Sequence, residues 1–228
     1  MNALILMTRI PIPGKTKTRL MDLLTGDECA QLHMAFLKDL LNTFTELKDI
    51  DLFMTYTPED SLFILESVIP GSMSSFPQMG EDLGEKMFNA INQVLLKGYK
   101  KVVLIGSDIP DLSAKDIQTS FQLLDECDVV LGPTYDGGYY LVGMKKSHEK
   151  IFCIPQKWGE KSVLETTVDI GNEQNLTIGL GPKYRDIDTK EDLFIFERRN
   201  KDSRAAYTMK WIQEWRSKYA KRQVTRTD

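Results

Sequence analysis

The chain has 228 residues, 42% of them apolar and 27% charged, with a formal net charge of -4. These values suit a soluble α/β domain with a core large enough to fold alone, and they supply no global pull toward nucleic acid. Cys29, Cys127 and Cys153 are scattered and form no CxxC pair, which argues against a disulfide framework and a zinc motif.

In chain order, the apolar run ALILM (Ala3 to Met7) predicts a buried strand over Asn2 to Thr8. It is too short for a signal-peptide core, and no segment approaches the ~18 apolar residues of a membrane span. A cytoplasmic location is the default expectation. The basic loop PIPGKTKTRL follows (Pro11 to Leu20). Thr25 and Glu28 then have capping-box spacing, and Leu32, Phe36, Leu40, Phe44 and Leu47 mark one helix face. A second strand is expected over Asp51 to Thr57, and Pro58 opens a short helix to about Val68. Met73 to Phe76 is a short strand, Glu81 to Leu96 a helix, and KVVLIGSD (Lys101 to Asp108) the clearest strand of all. Ser113 and Asp116 cap a helix through Leu124.

The second half reads differently. Asp128 to Thr134 is a strand, YDGG a turn, and Tyr139 to Met144 a strand returning beside the first. Val163 to Val168 lies on a helix, Leu176 to Leu180 on a strand, and Thr189 caps another helix. A basic helix over about Ser203 to Lys221 places Tyr207, Trp211, Trp215 and Tyr219 four residues apart. Strand–helix alternation predicts right-handed βαβ units, and the hairpin makes the sheet mixed, mostly parallel. Ligands in such sheets bind beyond the carboxyl ends of the strands. That rule selects the basic loop, GSDIPDL, YDGGYY and RDIDTKEDL.

In the basic loop, Arg9, Lys15, Lys17 and Arg19 supply cations, while Pro13 and Gly14 shape a stiff turn. Cations and amides before a helix suit a di- or triphosphate, although the Walker pattern is absent. Asp108 ends an apolar strand, where a carboxylate with phosphate oxygens and water suits Mg²⁺. Asp188 is the candidate second carboxylate, and its other reading is a helix start. Asp136 is a candidate base beside Gly137 and Gly138, or the acceptor of a plain tight turn. QMGEDLGEKM offers Gly80, Asp82 and Gly84 to a base or ribose.

PIPGKTKTRL, QMGEDLGEKM, GSDIPDL, GPTYDGGYYL and RDIDTKEDL, in this order over residues 3–195, resemble a bacterial family with the nucleotide-diphospho-sugar transferase fold of the GT-A type. Its members are usually called glycosyltransferases and are similar to the guanylyltransferases of molybdopterin and deazaflavin cofactor synthesis. The resemblance implies a three-layer α/β/α, Rossmann-like transferase domain over residues 1–200. Residues 201–228 fall outside the pattern, as a helix packed on that domain or at a homodimer interface. It also implies phosphates on Arg9, Gly14, Lys15, Lys17 and Arg19, and Mg²⁺ or Mn²⁺ on Asp108, with or without Asp188. Asp136 to Tyr139 would lie on the acceptor side, with Trp158. The segment KWGEKSVLE departs from the family there, with Gly159 and Glu160 in place of small hydroxyl residues. The expected partners are a nucleotide or nucleotide-sugar donor and a small-molecule acceptor, without nucleic acid or membrane. Three functions follow: glycosyl transfer, favoured by the family's naming; nucleotidyl transfer with pyrophosphate release, favoured by four cations in one loop; and nucleotide binding without turnover.

Overall fold

Asn2–Arg9 forms the first strand, β1, and its continuously apolar sequence is explained by position: it lies inside a seven-stranded sheet, paired on both sides. In the computed structural model, which describes residues 1–159, 162–200 and 204–224, the other strands are β2 (Ile50–Thr57), β3 (Ser74–Pro77), β4 (Lys101–Gly106), β5 (Val129–Pro133), β6 (Tyr139–Met144) and β7 (Ile178–Leu180). Their order is β3-β2-β1-β4-β6-β5-β7. All neighbours are parallel except that β6 runs antiparallel to both β4 and β5. The expected mixed, mostly parallel sheet is present. The five-residue β5–β6 connection returns the chain beside itself, so β6 occupies the place next to β4 and pushes β5 outward.

The described residues form six α-helices: α1 (Gly26–Phe44), α2 (Leu83–Leu95), α3 (Ala114–Leu123), α4 (Val163–Glu173), α5 (Lys190–Arg199) and α6 (Ala206–Val224). Alternation along β1 sends Leu4 and Leu6 into a core with Leu37, Leu40 and Phe44 of α1 and Ile117 and Phe121 of α3. Ala3, Ile5 and Met7 join Met87, Ile91 and Val94 of α2 on the other face. A third cluster joins α1 to α5 and α6 through Phe36, Phe196, Ile212 and Trp215. Among the described residues no helix is long and apolar enough to cross a membrane.

Four boundaries differ from expectation. The segment after Pro58 makes only a 3-10 turn over Glu59–Ile64. α2 starts at Leu83 because Asp82 caps it, accepting from the Glu85 amide at 2.8 Å. α4 continues to Glu173, where Gly171 lets it approach Ile178 of β7 so closely that an added Cβ would lie 2.7 Å from that side chain. α6 begins at Ala206, because its cap is borrowed from another helix: Asp39 of α1 accepts from the amides of Tyr207 and Thr208 at 2.9 and 2.8 Å. Residues 201–203 and 225–228 of the expected C-terminal helix lie outside the described residues.

Candidate active site

The carboxyl edge of the sheet opens into a cavity of about 660 Å³. Its lining carries both charges: the cations Arg9, Lys15, Lys17, Arg19 and Lys86 and the carboxylates Asp108, Asp136, Asp186 and Asp188.

The basic loop is tied to itself. The Lys15 amide donates to the Ile12 carbonyl at 3.0 Å, and the Thr16 hydroxyl to the Ile10 carbonyl at 2.8 Å. Gly26 at the head of α1 lies against the loop, and a Cβ there would come within 2.8 Å of the Gly14 nitrogen. Gly14 itself takes φ 73°, the left-handed region. Pro13 and Gly14 therefore shape the loop without lining the cavity, whereas Arg9, Lys15, Lys17 and Arg19 reach it.

Lys17 behaves unlike its neighbours. Its backbone is left-handed at φ 53°, and its side chain is 5% exposed. The ammonium lies 2.7 Å from Asp108 Oδ1, 2.9 Å from Asp188 Oδ1 and 2.7 Å from the Ile187 carbonyl. Burial pushes its pKa down, but the two carboxylates outweigh burial and the net shift is upward. The Lys17 ammonium, together with Arg19 at 3.4 Å, holds Asp188 below the usual carboxylate range. The two carboxylates expected to share an ion are thus bridged by an ammonium.

Asp186, two residues before Asp188, is the opposite case. Burial and the neighbouring charges of Asp136, Asp188 and Asp108 push its carboxyl up to about 7. Asp136 Oδ1 accepts from the Thr134 hydroxyl and from the Gly138 amide at 3.1 Å, which are local turn bonds. Among the described residues no three carboxylate, imidazole or thiol groups stand close enough to enclose a metal ion by themselves.

Beneath Asp108 lies His33 of α1, fully buried, with Nε2 3.0 Å from the Thr8 hydroxyl and Nδ1 4.0 Å from Asp108. Burial lowers its pKa to about 4, so the ring is neutral. Nδ1 has no hydrogen-bond partner. At the ends of β1 and β2, the Gln78 amide donates to the carbonyls of Thr8 and Thr55 at 2.9 and 3.3 Å. A flipped amide would set its oxygen against two carbonyls, so Oε1 is the free atom. Sequence reasoning missed His33, Gln78 and Asp186. A lone histidine on a helix carries no signal, but Gln78 heads the motif whose glycines were selected, and Asp186 sits inside the segment chosen for Asp188.

Gly80, Asp82 and Gly84 do not line the cavity; Leu83, Lys86 and Met87 do. Asp82 caps α2, and Gly84 admits Trp158, whose ring would be 2.7 Å from an added Cβ. On the far side Gly138, Tyr139, Trp158 and Gly159 line the cavity and Gly137 does not. Tyr139 meets Trp158 edge-on, with centroids 6.1 Å apart. Glu160 lies outside the described residues.

Residues 40–159 match the model of the family described as "uncharacterized protein conserved in bacteria (DUF2064)". The chain belongs to this family. A solved structure from Desulfovibrio desulfuricans G20, provisionally described as a nucleotide-diphospho-sugar transferase, is 33% identical, with TM-score 0.87 over 93% of this chain and 94% of that one. The 2-phospho-L-lactate guanylyltransferase of Methanocaldococcus jannaschii is 25% identical over 134 residues, 57% of this chain and 54% of that protein. The chain thus spans about half the length of the curated relative it matches. A cytidylyltransferase from Leptospira borgpetersenii, at 15% identity and TM-score 0.58 over 96% and 95% of the two chains, shares the fold. The fold and family agree with the motif resemblance.

Proposed function

We propose that the chain is a nucleotidyltransferase that joins a nucleoside triphosphate to a phosphate-bearing small-molecule acceptor and releases pyrophosphate. The observation that carries this reading is one cavity lined both by cations of the basic loop and by the carboxylates Asp108, Asp136, Asp186 and Asp188. Arg9 and Lys15 line this cavity and form no ion pair among the described residues. With Arg19 they offer three cations to a polyphosphate, in arrangements that guanidinium and ammonium groups suit well.

The carboxylates of the lining suit a divalent cation. Asp186 faces three other carboxylates and holds its proton to about pH 7, a charge excess that a hard cation would relieve. Asp108 and Asp186 would hold Mg²⁺ or Mn²⁺, with donor phosphates and water completing the shell. Asp188, facing Lys17 and Arg19, would support them. When bound, the ion would neutralise charge on the reacting phosphates.

The chain's own residues then position and stabilise. Arg9, Lys15 and Arg19 hold the β- and γ-phosphates as charge gathers on the leaving pyrophosphate. An acceptor phosphate oxygen entering from the Gly138–Tyr139 side bonds to the α-phosphorus as the bond to the β-phosphate oxygen breaks. The free Oε1 of Gln78 accepts from a base edge that presents N–H groups, as guanine does. That choice agrees with the activity named for the Methanocaldococcus relative.

Glycosyl transfer from a nucleoside diphosphate sugar is the second reading, favoured by the description of the Desulfovibrio relative. Incubation with nucleoside triphosphates and phosphorylated acceptors, read as pyrophosphate, separates the two. GTP-dependent pyrophosphate is the expected result. Nucleoside diphosphate released from nucleotide sugars, with no pyrophosphate from any triphosphate, would establish sugar transfer instead. Binding without either product would leave a nucleotide-binding protein.

A further inference from the structure

We propose that Lys17 is a fixed counter-cation that positions Asp108 and Asp188, and not a ligand of the donor's phosphates. The inference rests on the nucleotide reading above and narrows which cations of the loop touch the donor.

An ammonium has three protons. Those of Lys17 are matched by three acceptors: Asp108, Asp188 and the Ile187 carbonyl. The Phe36 ring lies 5.6 Å from Nζ, contributing a cation–π contact. The left-handed backbone at Lys17 turns the side chain into the protein, while Lys15 and Arg19 on either side stay exposed. To reach a phosphate, Lys17 would abandon two ion pairs and a main-chain bond. It would also leave the carboxylates of Asp108 and Asp188 without their buried counter-charge. The cost of uncovering like charges in a partly desolvated site opposes that move. Lys17 therefore holds Asp108 and Asp188 in place, and the phosphates fall to Arg9, Lys15 and Arg19.

The test compares net charge with contact. Lys17, Asp108 and Asp188 together carry one net negative charge. Lys17→Met raises that to two, whereas Lys17→Met with Asp188→Asn restores one. Binding of the fluorescent analogue mant-GDP is measured in EDTA for wild type, both single variants and the double. Lys17→Met is expected to weaken binding roughly tenfold through exposed carboxylates, and the double variant to return within about threefold of wild type, a strong coupling between the two positions. A double variant that stays as weak as Lys17→Met would overturn the proposal, because a lost phosphate ligand is not replaced by removing Asp188. If Lys17→Met does not fold, the comparison of wild type with the double variant, or with Lys17→Met/Asp108→Asn, decides alone. If wild type binds only with Mg²⁺, the same coupling is read with Mg²⁺ present. Failure of wild type to bind mant-GDP under either condition counts against the nucleotide reading itself.

Discussion

The side-chain amide of Gln78 donates to the main-chain carbonyl of Thr8, 2.9 Å away at the end of β1. This bond and its partner at Thr55 turn a flexible side chain into a fixed acceptor at the cavity rim. Gln78→Leu should weaken guanine nucleotides by about tenfold, the value of one hydrogen bond near 1.4 kcal/mol. Pyrophosphate, which has no base, should bind both proteins equally. Calorimetric titration of GDP and pyrophosphate against the two proteins checks this.

Asp186 gives a pH dependence of known sign. Its folded pKa of about 7 lies above the ordinary carboxyl value of 3.8, so the folded state holds this proton more tightly than the unfolded one. The associated stability is present at low pH and is lost as pH rises from about 4 to about 7. Asp186→Asn should therefore gain in melting temperature relative to wild type across that window. At pH 8, added Mg²⁺ should raise the melting temperature of wild type more than that of the variant. Equal Mg²⁺ shifts would remove Asp186 from the ion's site.

His33 has the reverse sign. Its folded pKa of about 4 lies below 6.5, so the folded state resists taking the proton. Stability from the neutral ring is complete above 6.5 and is lost as pH falls toward 4. Wild type should lose about 3 kcal/mol more than His33→Gln between pH 7.5 and 4. Urea unfolding of both proteins at the two pH values measures the difference.

Asp39→Ala removes the cap that α1 lends to α6. Three hydrogen bonds are lost, from the Tyr207 amide, the Thr208 amide and the Thr208 hydroxyl. A destabilisation of roughly 2–4 kcal/mol is expected, read as a lower urea midpoint. Asp39→Asn, which keeps one acceptor oxygen, should lose less.

Much of the architecture was legible because its signals are local. The apolar runs of β1 and β4, the Thr25–Glu28 capping box and the YDGG turn each act within a few residues. What escaped was set by distant partners. The start of α6 depends on Asp39, and the place of β5 depends on β6 entering beside β4. At the site, Arg9, Lys15, Lys17, Arg19, Asp108, Asp136 and Asp188, selected for their position behind a strand, line one cavity. Position alone has a limit. It could not distinguish a cation facing solvent from one enclosed by carboxylates, which is why Lys17 reads like Lys15 in the sequence. Glycines were the weakest guide: Gly84 packs against the Trp158 ring and lies outside the cavity lining.

The contact between Lys17 and Asp188 spans 171 residues, and that between Asp39 and Thr208 spans 169. The basic loop leaves the ribosome early, yet two of the three acceptors that orient Lys17 come from Ile187 and Asp188. Bonds that close such long loops form late. A nascent chain can therefore complete β1, β2 and β4 and still hold an unfinished cradle. The cradle is complete only after Ile187 and Asp188 have emerged, so during synthesis these strands must assemble before the proposed nucleotide site exists.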